Sequence, residues 1–192
     1  MKKILLLLAN GFEILEASAF IDVFGWNLVD GNGSTKLFSC ALEKQISSSF
    51  NQKFIVDFLI DEIVIDEFDA LAIPGGFEEY GFYKDVFNPK FLNLIKGFHK
   101  QNKIIASICV GALPIGKCGL LNNQNATTYV TSQNELSAYG VNVVNKPIVF
   151  ENNIITSCGP STAIDVAMIL LESLTNKENT QHIRKIMGFV NK

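Results

Sequence analysis

Arginine is nearly absent from this sequence: Arg184 is the single one, and the remaining positive charge is lysine. A pocket that clamps phosphate or carboxylate groups in bidentate fashion favours arginine, so no such clamp is expected. Histidine is scarce too, with only His99 and His182. His99 closes a helical pattern, where a cation suits the dipole, and His182 lies in a polar tail helix. Neither is expected to serve a cysteine as its base, which argues against a Cys-His-Asp triad. The four cysteines, Cys40, Cys109, Cys118 and Cys158, form no CxxC pair and no zinc spacing, so no metal is expected. In a core-rich chain of this size they read as cytoplasmic thiols instead of a disulfide framework. No stretch approaches the ~20 apolar residues of a membrane span. The opening "MKKILLLLANGFE" imitates a secretory leader, but the apolar run is short and no small-residue cleavage site follows; it reads as a first buried strand. A net charge of -3 without a basic cluster gives no nucleic-acid footprint.

What is present is apolar and periodic. A hydrophobic share of 48% over 192 residues suits a single domain spanning 1–192 with a sizeable core. Continuous apolar runs alternate with helical patterns. Strands are expected at Ile4–Leu8, Lys36–Ala41, within Gln45–Ile60, and at Ala70–Ile73, Ile104–Ile108, Ala126–Tyr129, 147–150 and Ile154–Ser157. Helices are expected near Ile14–Val29, from the Asn88-Pro89 cap onward, over Val110–Lys117 and Ser132–Tyr139, over Ser161–Leu174, and near Asn179–Met187. This alternation predicts a mostly parallel sheet covered by helices on both faces.

Ligands of such sheets bind outside the carboxyl ends of the strands, and four sequence stretches fall there. "KIIASICVGALPIG" sets Cys109 where a strand turns at once into a helix, with Ser107 and Gly111 leaving room for the turn. That is the requirement of a nucleophile elbow, written S-x-C-x-G. A helix N-terminus favours thiolate, which would make Cys109 reactive; the plainer reading is a small buried hydrophobe. "LLLLANGFEILE" places Glu13 and Glu16 just after the first strand, Glu16 being either a site carboxyl or a first-turn partner of the helix dipole. "ALAIPGGFEEYGFY" brings Gly75 and Gly76, either a plain turn or backbone that lets N–H groups approach a reacting oxygen. Its aromatic run, Phe77, Tyr80, Phe82 and Tyr83, reads as a lid or as packing under a loop. "IITSCGPST" ends a late strand at Cys158, before Gly159 and Pro160. Gly31 and Gly33 in "DGNGST" follow a helix instead of a strand and carry no dinucleotide site.

Taken together, "LANGFEILEASAFIDVF", "LAIPGG", "IASICVGA", "NATTY" and "ITSCGPSTAIDVAMILLESL" resemble the ThiJ/PfpI superfamily, in the branch of the Parkinsonism-associated protein deglycase. The resemblance runs over nearly the whole length. It implies a flavodoxin-like three-layer α/β sandwich, a homodimer, a cytoplasmic stress-response role and cofactor-free chemistry. It implies Cys109 as the reactive cysteine, Glu16 as the carboxyl beside it, and the Gly76 and Val110 N–H groups as oxyanion donors. Gly75, Tyr129, Cys158 and Pro160 complete the expected pocket. Tyr129 stands where that branch carries histidine, Cys158 where it often has arginine, and Val110 where the peptidase-like branch has histidine, so peptidase activity is not expected. Three functions remain open: conversion of small reactive carbonyls of the methylglyoxal class, a non-enzymatic redox sensor or chaperone-like dimer that meets an oxidant, and another thiol enzyme such as a hydratase or amidase.

Overall fold

The structure, a computed structural model, describes residues 1–189; the last three residues of the expected 1–192 unit lie outside the described residues. In chain order its elements are β1 (Lys2–Leu7), α1 (Ile14–Asp30), β2 (Thr35–Ala41), β3 (Gln45–Ser47), β4 (Lys53–Ile55), β5 (Phe58–Leu59) and β6 (Ala70–Ile73). There follow α2 (Phe82–Val86), α3 (Pro89–Lys100), β7 (Ile104–Ser107), α4 (Ala112–Lys117), β8 (Asn125–Ala126) and α5 (Gln133–Ala138). The chain closes with β9 (Asn142–Val143), β10 (Ile148–Glu151), β11 (Ile154–Ser157), α6 (Ala163–Leu174) and α7 (Lys177–Ile186). Seven strands form one sheet in the order β10-β11-β7-β6-β1-β2-β5. Every neighbouring pair in it is parallel except β10–β11 at one edge. The expected three-layer sandwich is the observed fold.

β1 explains the two cores. Successive strand side chains point to opposite faces, so Ile4, Leu6 and Leu8 go one way and Leu5 and Leu7 the other. The first set meets Phe20, Val23 and Phe24 of α1 and Val166 and Leu170 of α6; the second meets Phe91, Ile95 and Phe98 of α3 and Leu113 of α4. Each such buried side chain contributes roughly 1.5–3 kcal/mol against an exposed one, which fixes the register of the central strand. α3 starts where Asn88 accepts a hydrogen bond from the Lys90 N–H (2.9 Å) and Pro89 fills the first helical position.

α2 and β9 stand where no helix or strand is expected, and two expected elements differ from their reading. The strand expected at Ala126–Tyr129 stops at Ala126, because the next residues pair with side chains and not with a ladder: the Thr127 N–H donates to Thr156 Oγ1 (3.0 Å), and Thr128 Oγ1 donates to the Cys109 carbonyl (2.8 Å). The helix expected from Val110 opens as a 3-10 turn, Cys109–Gly111, and becomes α-helical only at Ala112.

Candidate active site

The elbow is built by close approach of backbones. Cys109 has φ +57°, a left-handed conformation that a residue with a Cβ adopts only when its surroundings impose it. Gly111 lies so close to the end of β6 that a Cβ there would stand 2.6 Å from the Ile73 carbonyl oxygen. A Cβ on Gly75 would meet Cys109 Cβ at 2.8 Å, Glu16 Oε2 at 3.0 Å and the Val110 nitrogen at 3.1 Å. Glycine at 75 therefore brings cysteine, carboxyl and amide to one point.

Glu16 reaches that point from the first turn of α1. Gly11, at φ +72°, turns the chain after β1; its N–H donates to the Ser47 carbonyl (2.7 Å) and its own carbonyl accepts from the Phe77 N–H (3.0 Å). This ties the start of α1 to the loop after β6. Glu13 caps the helix by accepting from the Glu16 N–H (2.8 Å), and its own N–H donates to the Gly75 carbonyl (2.8 Å). The Glu16 side chain has no exposed surface. Its Oε2 accepts a 2.6 Å hydrogen bond from the Gly75 N–H, while Oε1 has no partner among the described residues. Burial pushes this carboxyl up to about 8, the Glu13 charge adds to the rise, and the Gly75 amide and Cys109 thiol pull the other way. Glu16 therefore holds a proton at neutral pH.

The thiol overturns one expectation. Instead of being lowered by a helix N-terminus, Cys109 is pushed up by burial and by Glu16 and Glu13; the Val110 N–H is what pulls it down. The physical reason is that α4 is only six residues long and is preceded by the 3-10 turn, so its dipole is small beside desolvation and the two carboxyls. Glu16 and Cys109 act as a pair: the first proton lost belongs to both, and its loss with Glu16 still protonated leaves a thiolate.

The pair faces a cavity of about 340 Å³ bounded by Glu13, Glu16, Gly76, Phe77, Glu78, Glu79, Tyr83, Cys109, Val110, Tyr129, Thr131, Ser132 and Pro160. The Gly76 N–H has no backbone acceptor among the described residues, and the Val110 N–H lies against the Cys109 sulfur. Tyr129, 41% exposed, and Pro160 stand on the wall, and Gly75 lies directly behind it. Cys158 does not line the cavity: its N–H continues the β10–β11 edge by donating to the Pro147 carbonyl (3.0 Å), and the chain turns toward the cavity only at Pro160. All four cysteines are free thiols. The aromatic run divides: Phe77 and Tyr83 face the cavity, whereas Phe82 is core and Tyr80 packs on Phe50. Glu78, Glu79, Thr131 and Ser132 had no distinguishing signal; only the place of "GGFEE" after a strand end pointed toward two of them. Neither histidine borders the cavity, and His182 Nε2 lies 2.9 Å from the Asp30 carbonyl oxygen at the far end of α1.

This arrangement can deliver sulfur to an electrophilic carbon, hold the resulting oxygen on backbone amides, and move a proton through a carboxyl. No helix among the described residues is long and apolar enough to cross a membrane. The sequence profile described as the DJ-1/PfpI family matches residues 2–173. The chain is 30% identical over 188 residues to Protein DJ-1 homolog A of Arabidopsis thaliana, covering 97% of this chain and 46% of that relative, so it spans about half the relative's length. It is 28% identical over 195 residues to the Glutathione-independent glyoxalase DJ-1 of Schizosaccharomyces pombe, covering 98% of this chain and 99% of the other. Its structure is similar to the crystal structure of Drosophila melanogaster DJ-1beta, with a TM-score of 0.88 at 25% identity, over 100% of this chain and 99% of that one.

Proposed function

The chain belongs to the DJ-1/PfpI family, and on that premise we propose that it converts small reactive 2-oxoaldehydes to 2-hydroxy acids without a cofactor. The observation that carries this reading is the buried, protonated Glu16, with one unpartnered oxygen, beside the strained Cys109 in a cavity of about 340 Å³. A relative of nearly equal length is named a glutathione-independent glyoxalase, which supports the same reading.

The steps follow from the pair. Once the pair has lost one proton to solvent and holds the other on Glu16, the Cys109 thiolate attacks the aldehyde carbon, forming the C–S bond, and the carbonyl electron pair moves to oxygen against the Gly76 and Val110 amides. Glu16 gives its proton to that oxygen, completing a hemithioacetal and leaving a carboxylate. The carboxylate then removes the hydrogen of the former aldehyde carbon as a proton and returns it to the neighbouring carbon, while the hydroxyl proton on the first carbon passes to the oxygen of the second. The first carbon is thereby oxidised and the second reduced, yielding a thioester of a 2-hydroxy acid. Water hydrolyses the thioester, releasing the acid and restoring the thiol. Glu16 serves first as acid and then as base, which is how the chemistry proceeds without imidazole; such acid–base catalysis is worth roughly 10²–10⁴-fold.

A second reading rests on one observation: the cavity walls hold no imidazole. Under it, peroxide oxidises Cys109 to a sulfinate whose oxygen takes the Glu16 proton as a hydrogen bond, and the protein is a redox sensor. Lactate production from methylglyoxal separates the two: turnover lost in Cys109→Ser supports the enzyme, and no turnover in the native protein removes it. Action in the cytoplasm and pairing with a second copy are parts of the same proposal. Exposed Trp26 and Val29 on α1 offer apolar surface for pairing, and a monomer mass by sedimentation would remove the dimer.

A further inference from the structure

We infer that the Cys109 cavity selects by charge, admitting neutral and cationic carbonyl compounds and rejecting anionic ones. The inference takes the cavity of the proposed reaction as its starting point and names the class of substrate it accepts. Four carboxyl residues, Glu13, Glu16, Glu78 and Glu79, bound the cavity, and no lysine, arginine or histidine does. The carboxyls have no neutralising partner: the ion pairs among the described residues use Asp61, Glu67, Asp69 and Asp165 instead. Arg184, the one arginine, is engaged with Asp165 at 2.6 Å.

Depth gives the four groups different parts. Glu78 and Glu79 are exposed on the 3-10 turn Glu78–Tyr80, Glu13 is half-buried at the α1 cap, and Glu16 is fully buried at the floor. An approaching anion therefore meets negative charge first at the rim, from Glu78 and Glu79, and again at the half-buried Glu13. A recess lined by one sign of charge focuses its field and discriminates between ligands before contact. At the floor Glu16 Oε1 has no nitrogen or oxygen partner and its carboxyl stands beside the Cys109 sulfur: protonated there, it can donate to the oxygen of a neutral carbonyl that the sulfur engages. A substrate carboxylate in the same place would face Glu13 with no cation to balance it. Methylglyoxal, a neutral 2-oxoaldehyde, fits this chemistry; glyoxylate, an aldehyde that carries a carboxylate, does not.

The test uses thiol reagents, so that it does not depend on turnover. The trimethylammonium-ethyl and sulfonato-ethyl methanethiosulfonates react alike: the thiol attacks the reagent's sulfenyl sulfur, a mixed disulfide forms, and methanesulfinate leaves. Their rates at Cys109 are followed by peptide mass mapping and divided by their rates with free cysteine. A ratio favouring the cation by at least about tenfold is expected, narrowing as salt screens the rim over a Debye length of about 10 Å at 0.1 M. Glu78→Gln with Glu79→Gln should raise the anionic rate severalfold, with the circular dichroism spectrum unchanged. A ratio near one in the native protein, or a ratio indifferent to both salt and the double variant, overturns the inference. Turnover assays with methylglyoxal and glyoxylate run alongside: a preserved reagent ratio without any turnover sinks the glyoxalase reading alone, and equal turnover of both aldehydes sinks charge selection alone.

Discussion

Glu16 and Asn27 lie on the same helix, both without exposed surface, and they differ in what becomes of their polar atoms. At the C-terminal end of α1, Asn27 Nδ2 donates to Thr35 Oγ1 (2.6 Å) and Oδ1 accepts from Asn179 Nδ2 (2.7 Å). Asn179 is held in turn by the Asn176 cap of α7 (2.9 Å), so this cluster fastens β2 and α7 to α1. At the N-terminal end, Glu16 satisfies one oxygen on the Gly75 amide and leaves the other with no nitrogen or oxygen partner, the carboxyl standing beside the Cys109 sulfur at the cavity. A closed buried network stabilises; an open one costs stability and is retained where chemistry needs the group. One end of α1 is structural, and the other is where the proposed chemistry takes place.

The largest expected effect separates the two ends. Glu16→Gln preserves the shape and the Gly75 hydrogen bond but removes the mobile proton, so lactate formation from methylglyoxal should fall at least about 10²-fold with folding intact. Asn27→Ala should leave that rate nearly unchanged while costing about 1–3 kcal/mol in urea unfolding, because Thr35 and Asn179 lose buried partners. The reverse pattern would break the comparison.

A second difference appears with pH. The Glu16 carboxyl is raised from an ordinary 4.5 to about 8, so the folded protein binds this proton more tightly than the unfolded chain does. Its contribution is full below pH 4.5 and is lost as pH rises through 8, a decline on the order of a few kcal/mol. Glu13, Cys109 and the Gly75 amide are the groups acting on it, and the raised Cys109 and Cys40 thiols extend the decline to higher pH. Glu16→Gln should flatten the pH dependence of unfolding between 4.5 and 8, and Asn27→Ala should lower the whole curve without changing that slope. An unchanged slope in Glu16→Gln would show that the carboxyl is not buried as a protonated acid.

The smallest effect concerns the wall. Tyr129→His places an imidazole opposite the pair, where a second proton carrier near neutrality is missing, and should raise turnover by a few-fold. A loss of activity would show that the phenol itself takes part.

Glycine and strand periodicity made much of this legible in advance. Apolar runs located the central strands because each is buried on both faces, and S-x-C-x-G located the elbow because Gly111 must lie against Ile73. Gly75 was readable as a close approach for the same reason. Three things were not. The strand at Ala126–Tyr129 ended early because Thr127 and Thr128 found side-chain and elbow partners that no local propensity records. Cys158 shares a strand end with Pro160, yet alternation past that end did not tell which of the two turns inward. The direction of the Cys109 shift depended on burial and on carboxyls brought from α1, which proximity along the chain does not reveal.

The proton on Glu16 joins all of these observations, and carbon-13 NMR can watch it. In protein labelled at glutamate side chains, the resonance absent from Glu16→Gln identifies the carboxyl, and its shift against pH gives the titration. A midpoint near 8, displaced in Cys109→Ser because the pair shares its first ionisation, is the expected result. A midpoint in the ordinary carboxylate range, indifferent to Cys109, would contradict it.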